Sequence, residues 1–226
     1  MAGIDINTLL LLRGESLRDF SYYNVNVSNQ NVSLSSTHTK FGGKSLYFNG
    51  NAKFSLPSSF KFNFYSGDFT IDWWGYQTTR VNEGDPFFFA PVGVGHFGVH
   101  ILSQNYSLWY TNAYGGTVLC SEKLNQWSHY AFVKNGSQLL FFENGIKTFT
   151  GSSTVIPTQD GYVMCVGGRS DIAQYYTGYM DEFRVSNVAR WTQNFTPPKE
   201  RYTDERNIYV KINGTWRKAS NFYVVK

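Results

Sequence analysis

The stretch that decides the fold is residues 131–149, AFVKNGSQLLFFENGIKTF. Short apolar runs are separated in it by Asn-Gly pairs at 135–136 and 144–145. Asn-Gly suits the type I′ turn, in which both central residues take a positive φ, so each pair is expected to reverse the chain. The stretch therefore predicts three consecutive antiparallel strands.

The same pattern continues on both sides of this stretch. Runs rich in Phe, Tyr, Trp, Val and Ile lie between Gly, Asn, Ser and Asp clusters, as is typical of strands. They include KSLYFNG, DFTIDWWGY, HFGVHIL, YSLWYT, YVMCVGG and YMDEFRVS. Further Asn-Gly pairs at 49–50 and 213–214 predict similar hairpins. No long segment has a helical period. About a dozen antiparallel strands imply an all-β protein of two packed sheets or a closed barrel.

The composition is that of a folded protein. Of the 226 residues, 42% are hydrophobic, 18% aromatic and 16% charged, whereas disordered chains have fewer aromatic residues and more charge. No apolar run reaches the roughly 18 residues of a membrane-spanning helix. The N-terminus lacks the basic start and cleavage site of a secretion signal. We expect no membrane insertion. Cys120 and Cys165 are expected to be free buried thiols, because a chain of this size does not need a disulfide.

The net charge of +4 lies entirely at the C-terminal end. Residues 199–226 contain seven basic and three acidic residues, while residues 1–198 are balanced. Pro197-Pro198 stands where the composition changes, which predicts a sandwich domain at 1–198 and a basic, aromatic β-hairpin tail at 199–226. A neutral sandwich with a weakly basic tail is a poor match for nucleic acid, so no nucleic acid partner is expected.

Side-chain alternation assigns faces within two of the strands. In SGDFTIDWW it puts Phe69, Ile71 and Trp73 on one apolar face, which predicts that they belong to the core. In GYMDEFRVS strict alternation puts Asp181 on the same side as Phe183. A carboxylate on an apolar face must be paired, hydrogen-bonded or bound to a metal.

Several phrases resemble, in order, one family of β-sandwiches. They are NTLLLLRGE, KFGGKSLYFNG, SGDFTIDWW, WSHYAFVKNGSQLLFFENG and GYMDEFRVSNVARWTQNFTPP, which together cover about residues 5–198. This sequence resembles the LamG-like branch of the concanavalin A-like lectin/glucanase superfamily, in the form common in bacteriophage virion proteins. The resemblance implies an antiparallel two-sheet jelly-roll sandwich. The tail phrase IYVKINGTWRKAS resembles short repeats of phage structural proteins and would form a C-terminal β-hairpin extension.

The resemblance also implies one structural calcium ion. Related folds hold it between the N-terminal strand, a glycine carbonyl after an early strand and an aspartate on the last strand. The matching positions here are Glu15, Gly50 and Asp181. The alternative is that Asp181 accepts hydrogen bonds from backbone amides or pairs with Arg184.

The carboxylates do not match a glycoside hydrolase of this fold. Such enzymes use two carboxylates, about 5 Å apart when configuration is retained, and the glucanase branch presents them as Glu-x-Asp-x-x-Glu or Glu-x-Asp-x-Glu. Neither pattern occurs, and Asp68 and Asp72 would lie about 13 Å apart along a strand. His96 and His100, four positions apart on a strand, are likewise too distant to share a zinc ion. We therefore expect a protein that is not an enzyme.

Without catalysis, we expect this fold to bind a ligand, and two stretches contain residue types that suit carbohydrate binding. Protein sites for sugars stack aromatic rings on the pyranose and use amides and carboxylates for its hydroxyls. The candidates are Trp109, Tyr110, Asn112 and Tyr114 in one stretch, and Gln174, Tyr175 and Tyr176 in the other. Each ring could instead belong to the core, because a sandwich this aromatic needs many rings between its sheets.

The expected function is a non-catalytic structural protein of the virion, made in the host cytoplasm, which recognises host-surface carbohydrate as a tail, fibre or capsid-decoration subunit. The alternatives are a spacer that binds no glycan, or a glycan-degrading enzyme of the same fold. Expected partners are other virion proteins, a host-surface glycan and further copies of the chain. The candidate assembly residues of the tail are Tyr209, Trp216, Arg217, Lys218, Phe222 and Tyr223.

Overall fold

The structure is a computed structural model that describes residues 3–58, 67–80, 83–91, 97–110, 114–152, 162–169, 172–204, 209–212 and 215–218. Within these ranges the regular elements are strands, and no helix long and apolar enough to cross a membrane is found among them. The strands are β1 Gly3–Ile4, β2 Thr8–Arg13, β3 Ser16–Asp19, β4 Ser28–Gln30, β5 Ser33–Ser35, β6 Ser45–Asn49, β7 Lys53–Ser55, β8 Phe69–Tyr76, β9 Glu83–Pro91, β10 Phe97–Leu102, β11 Asn105–Tyr110, β12 Tyr114–Ser121, β13 Ser128–Asn135, β14 Gln138–Glu143, β15 Ile146–Ser152, β16 Tyr162–Val166, β17 Thr177–Ser186, β18 Thr203–Asp204, β19 Tyr209–Ile212 and β20 Thr215–Lys218.

Two large antiparallel sheets form a sandwich. The seven-stranded sheet has the order β12-β11-β10-β9-β16-β7-β4. The nine-stranded sheet has the order β15-β14-β13-β8-β17-β2-β3, and β6 joins it beside β17 with β5 on its outer side. This arrangement confirms the predicted all-β, two-sheet sandwich and is consistent with a concanavalin A-like jelly roll.

The Asn-Gly pairs play three different roles. At Asn144 and Gly145 both residues have positive φ, 50° and 78°, and the turn joins β14 to β15 as predicted. Asn135 pairs with Gln138, so the first turn is centred on Gly136 and Ser137 instead, with positive φ only at Gly136. The pair at 49–50 makes no hairpin, because β6 belongs to the nine-stranded sheet and β7 to the seven-stranded sheet.

Aromatic rings from both sheets fill the space between them. Trp73 of β8 meets Phe87 of β9 edge to face at 5.7 Å, and Tyr130 of β13 stacks on Tyr106 of β11 at 4.4 Å. Such pairs add about 0.5–1.5 kcal/mol each to the stabilisation from burial. The predicted core residues of β8 are fully buried: Phe69, Ile71 and Trp73. Both cysteines are buried, and they form no disulfide, as predicted.

A β-bulge in β17 corrects the predicted face of Asp181. Asp181 pairs with Trp74 and Arg184 with Asp72, so β17 has one more residue than β8 between these points, and Glu182 takes a φ of 51°. An extra residue reverses the alternation beyond it. Met180 and Phe183 therefore both lie in the core, and Asp181 lies on the outer face of the nine-stranded sheet.

The segment after β17 covers part of this outer face. Trp191 and Phe195 stack at 4.1 Å and pack on apolar side chains of β13 and β14. Further along, Tyr202 is only 1% exposed, and β18 pairs in parallel with β1. The sandwich therefore continues at least to Asp204, beyond the boundary predicted at residue 198.

A buried ionic cluster lies beneath this segment. Arg184 Nε is 3.0 Å from an Asp72 carboxylate oxygen, the Tyr202 hydroxyl donates to the same carboxylate, and His129 Nε2 is 3.4 Å from it. Burial raises the pKa of Asp72, but the positive charge of Arg184 and the interactions with His129 and Tyr202 together outweigh this and hold that pKa below its usual value. Next to it, Glu182 accepts the Tyr202 N–H at 2.9 Å, and burial raises the Glu182 pKa to about 7. The cluster ties the C-terminal segment to the sheet.

Candidate functional site

Strands β9, β10 and β11 present a second set of side chains on the outer face of the seven-stranded sheet. Their inward residues, such as Phe87, Val99 and Leu108, belong to the core between the sheets. Because side chains alternate along a strand, Phe88 and Trp109 point the opposite way. This face lies outside the main core; Phe88 is buried there, and Trp109 is half-buried.

A histidine and an aspartate are paired at the centre of this face. His100 Nδ1 lies 2.8 Å from Asp85 Oδ1, and the two residues are 3% and 0% exposed. A carboxylate only accepts hydrogen bonds, so in the neutral ring Nδ1 carries the proton and Nε2 is an acceptor. Ser107 is the direct cross-strand partner of His100, and the Trp109 ring lies edge-on to the imidazole at 5.7 Å. Asp85 thus fixes the orientation of His100 beside the indole.

Gly98 lies between the two aromatic rings of this face. It pairs with Phe88 on one side and with Trp109 on the other. A Cβ atom at Gly98 would collide with the Phe88 ring, so that ring lies across the glycine backbone. The Arg169 guanidinium stacks over Phe88 at 3.9 Å from the ring centroid. The strand spacing puts the Phe88 and Trp109 backbones about 10 Å apart.

The connection between β16 and β17 supplies the polar rim of this face. Gln174 Nε2 donates to Glu83 at 2.7 Å, and Arg169 donates to the Gln174 side-chain oxygen at 3.5 Å. The Tyr175 hydroxyl accepts a 3.3 Å hydrogen bond from Gln30. We call the set Asp85, Phe88, His100, Trp109, Arg169, Gln174 and Tyr175 the outer-face site. It combines the half-buried side chains of Trp109, Gln174 and Tyr175 with the buried Phe88 ring, His100 imidazole and Arg169 guanidinium.

The structure brings three of the predicted carbohydrate-binding residues to this site. Trp109 and Tyr175 are half-buried, and Gln174 donates to Glu83. Trp109 lies on β11 and Tyr175 is bonded to Gln30 of β4, so these two rings lie towards opposite ends of the face. Tyr176 is wrong as a ligand contact, because it is 0% exposed and its ring packs against Phe48 in the core. Tyr110 and Tyr114, which pair across β11 and β12, are described by their backbones alone. Asn112 lies outside the described residues.

Sequence reasoning missed four members of the site: Asp85, Phe88, His100 and Arg169. A signal for His100 exists in HFGVHIL, where it alternates with the apolar Val99 and Ile101. The pairing of β9 with β10 and with β16, which assembles the site, has no local signature.

The three positions matched to a calcium ion do not form a site. Both Asp181 oxygens accept backbone N–H groups, from Gly14 at 3.1 Å, Glu182 at 3.0 Å and Phe41 at 3.2 Å. Donors that point at a carboxylate occupy positions that a cation would take, and this arrangement agrees with the alternative in which Asp181 accepts hydrogen bonds from backbone amides. Gly50 ends β6 about 16 Å along the strand from the level of Asp181. Within the described ranges, no group of three or more His, Cys, Asp or Glu is placed to hold a metal.

The candidate assembly residues are only partly described. The tail forms the predicted hairpin of β19 and β20, in which Tyr209 pairs with Lys218 and Lys211 with Trp216. Arg217 lies in β20 opposite Val210. Phe222 and Tyr223 lie outside the described residues.

Solved structures of the same fold include carbohydrate- and receptor-associated domains. Domain 4 of AbnA, a GH43 extracellular arabinanase from Geobacillus stearothermophilus, in complex with arabinotriose, has a TM-score of 0.65 at 16% identity, covering 81% of this chain and 93% of that one. The binding domain of Paraclostridial Mosquitocidal Protein 1 has a TM-score of 0.63 at 17% identity, covering 81% of this chain and 49% of that one. The binding domain of botulinum neurotoxin DC in complex with SialylT has a TM-score of 0.61 at 14% identity, covering 81% and 48%.

Sequence comparison assigns the family directly. No curated protein matches this chain. The model of Laminin_G_3, in the concanavalin A-like lectin/glucanases superfamily, matches residues 48–194, more than half of the chain and most of the strands of both sheets. The chain belongs to this family of the concanavalin A-like lectin/glucanases superfamily.

Proposed function

We propose that this protein recognises carbohydrate at the outer-face site without cleaving it. The observation that carries the proposal is the half-buried Trp109 ring beside the Asp85-oriented imidazole of His100. An aromatic face can stack on the C–H face of a sugar ring, and the half-buried Gln174 amide at the rim can bind its hydroxyls. The buried His100 imidazole packs beside the indole and supports its position. Sites for small ligands commonly combine apolar walls with a few placed polar groups in this way.

The neighbours of this fold support a sugar as the ligand. The arabinanase domain is described in complex with arabinotriose, and the neurotoxin binding domain in complex with SialylT. The absence of cleavage is part of the proposal. Its support is that two carboxylates on this side of the sheet are already engaged, Asp85 with His100 and Glu83 with Gln174.

The proposal includes a bacteriophage particle as the context. The protein would be a tail, fibre or capsid-decoration subunit, made in the host cytoplasm, that binds host-surface glycan and contacts other virion proteins. The support is the ordered series of phrases across residues 5–198 and the tail hairpin of β19 and β20. A chain ending at Asp204 keeps the buried Tyr202 and removes the hairpin, so its effect on incorporation into particles tests the assembly role.

The glycan-binding role is tested with matched aromatic variants. Binding is measured on a glycan array and then by calorimetric titration with the glycans that bind. Trp109→Ala should weaken binding by about tenfold or more, which is about 1.4 kcal/mol, while Trp109→Phe keeps part of the affinity. Tyr23→Ala is the control, because Tyr23 is an exposed ring at 46% away from the site. Equal binding by Trp109→Ala and wild type would refute the site, and no binding by any variant would favour a spacer role.

A further inference from the structure

A row of aromatic residues crosses the outer face of the other sheet. Tyr47 on β6 pairs directly with Tyr179 on β17, and Tyr179 pairs directly with Tyr76 on β8. Trp127, just before β13, continues the row. The ring centroids are separated by 4.9 Å from Tyr47 to Tyr179, 6.1 Å from Tyr179 to Tyr76, and 5.6 Å from Tyr76 to Trp127. We call these four residues the aromatic row.

The aromatic row is not part of the core between the sheets. Leu46, Phe48 and Met180, its neighbours along β6 and β17, are the residues that enter the core. Tyr47 and Tyr179 therefore point outward. Tyr47, Tyr76 and Trp127 are half-buried, and Tyr179 is 8% exposed. Partly exposed aromatic rings grouped on one face can form a binding surface.

A histidine from a neighbouring loop lies on the aromatic row. The His38 ring stacks on Tyr76 at 4.2 Å and 21°, and it meets Tyr179 edge-on at 4.9 Å. His38 is itself half-buried. Because it contacts Tyr76 and Tyr179, its ring lies over the middle of the row. The two ends of the row, Tyr47 and Trp127, lie on either side of it.

The polar atoms of these rings differ from those of the core rings in their hydrogen bonding to the part of the chain that the structure describes. Among the residues that the structure describes, none forms a side-chain hydrogen bond with the hydroxyls of Tyr47, Tyr76 and Tyr179, the Trp127 N–H or the His38 imidazole. By contrast, the buried hydroxyl of Tyr106 donates to Gln77 at 2.9 Å. The rings of the aromatic row can therefore stack on a ligand, and their hydroxyl and N–H groups can form hydrogen bonds with it.

The size and charge of the aromatic row fit a short neutral sugar chain. Three strand spacings make it about 14 Å long, whereas a stable protein interface buries about 800 Å² on each partner. The row contains no ionised side chain. The nearby Lys40 is already engaged, since its ammonium group is 3.7 Å from the Trp74 ring. Ser33, the direct partner of Tyr47, adds a hydroxyl at one end.

We infer that the aromatic row, with His38, is a second carbohydrate-binding site that takes a neutral oligosaccharide. It lies on the nine-stranded sheet, while Trp109 lies on the seven-stranded sheet, so the two sites share no strand. The inference goes beyond the proposed function and holds even if the outer-face site binds nothing. Two sites on opposite sheets allow one subunit to bind two glycan chains.

The test uses the full chain with Trp109→Ala, so that binding at the outer-face site is weakened. Cellohexaose, xylohexaose, mannohexaose and arabinohexaose are titrated by calorimetry and by Trp fluorescence. At least one should bind, and adding Trp127→Ala or Tyr47→Ala should each weaken that binding about tenfold. Adding Tyr23→Ala, an exposed ring elsewhere, should leave it unchanged. Near-ultraviolet circular dichroism establishes that each variant is folded.

Two results would overturn the inference. One is that Trp109→Ala binds none of the four hexasaccharides. The other is that it binds one, but with an affinity that neither Trp127→Ala nor Tyr47→Ala changes. Failure of the proposed function is a separate result, namely that Trp109→Ala does not alter glycan binding by the otherwise unchanged protein.

Discussion

Removing Arg184 is expected to destabilise the protein far more than removing an exposed cation. Its fully buried guanidinium is 3.0 Å from Asp72 and donates to the Gly3 carbonyl at 3.2 Å. Arg184→Met keeps much of the apolar volume but leaves the Asp72 carboxylate buried without its opposite charge. Breaking one side of a buried ion pair costs about 3–5 kcal/mol. For a chain of this size, that lowers Tm by roughly 6–20 °C.

The pH dependence gives this prediction a second signature. In the wild type, burial raises the pKa of Asp72, but Arg184, as the largest of the opposing effects, together with His129 and Tyr202 outweighs it, so the pKa lies below the ordinary value of 3.8. A carboxyl group with a depressed pKa stabilises the folded state above its unfolded pKa, and this stabilisation is lost as the pH falls through the folded pKa. In Arg184→Met the Asp72 pKa rises. The stability difference between the two proteins should therefore be largest at neutral pH and narrow towards pH 4.

Urea unfolding monitored by Trp fluorescence measures both effects. Lys123→Met is the matched control, because Lys123 is 39% exposed and 3.8 Å from Glu143, and exposed pairs contribute about 0–1 kcal/mol. The double variant Arg184→Met/Asp72→Asn removes both charges and should recover part of the loss. The reasoning would be refuted if Arg184→Met cost no more than Lys123→Met, or if the double variant were as unstable as the single one.

Two further predictions concern the same face of the nine-stranded sheet. Burial raises the Glu182 pKa from 4.5 to about 7 despite the nearby Arg13, so the wild type should lose stability as the pH rises from 4.5 to 7. Glu182→Gln keeps an acceptor for the Tyr202 N–H and should remove this loss of stability. Urea unfolding at pH 8 should then show a free energy of unfolding up to about 3 kcal/mol higher than that of the wild type. If the free energy of unfolding of the variant depended on pH as steeply as that of the wild type, this prediction would be contradicted. Gly145→Ala should cost more than about 2 kcal/mol, because Gly145 has a φ of 78° and a Cβ there would collide with the Phe195 carbonyl. At Gly136, with a φ of 57° and open space around it, the same change should cost only about 1 kcal/mol, and equal Tm shifts for the two variants would argue against the Phe195 contact.

Features with local causes could be predicted from the sequence. The turn at Asn144 and Gly145 follows from the φ preferences of those two residues. The buried face of β8 follows from the alternation of Phe69, Ile71 and Trp73. Both depend on residues that are adjacent in the chain, so the sandwich itself could be predicted from short stretches.

Features that depend on distant partners could not be predicted this way. The extra residue of β17 at Glu182 is visible only against β8, and it moved Asp181 to the other face. Asp72 and Arg184 are 112 residues apart in sequence. Burial of Tyr202 beyond Pro198 depends on the pairing of β18 with β1, which no composition change indicates.

The candidate site likewise has a part that could be predicted from local sequence and a part that depends on distant partners. Trp109, Gln174 and Tyr175 could be selected because their residue types suit sugar binding. That these residues lie on the same face of one sheet depends on β9. This strand lies between β10 and β16 and contributes Asp85 and Phe88. Tyr176 shows the limit of selection by residue type, since it differs from Tyr175 by one position and points into the core.

The most direct test of carbohydrate recognition at the outer-face site is the indole N–H spectrum of the protein during titration with a glycan that binds on the array. The chain has six Trp residues, and Trp109→Phe assigns the signal of Trp109. We predict that the Trp109 signal moves in a saturable way, while the signal of Trp73, fully buried between the sheets, stays in place. A glycan that binds without moving the Trp109 signal would contradict the account.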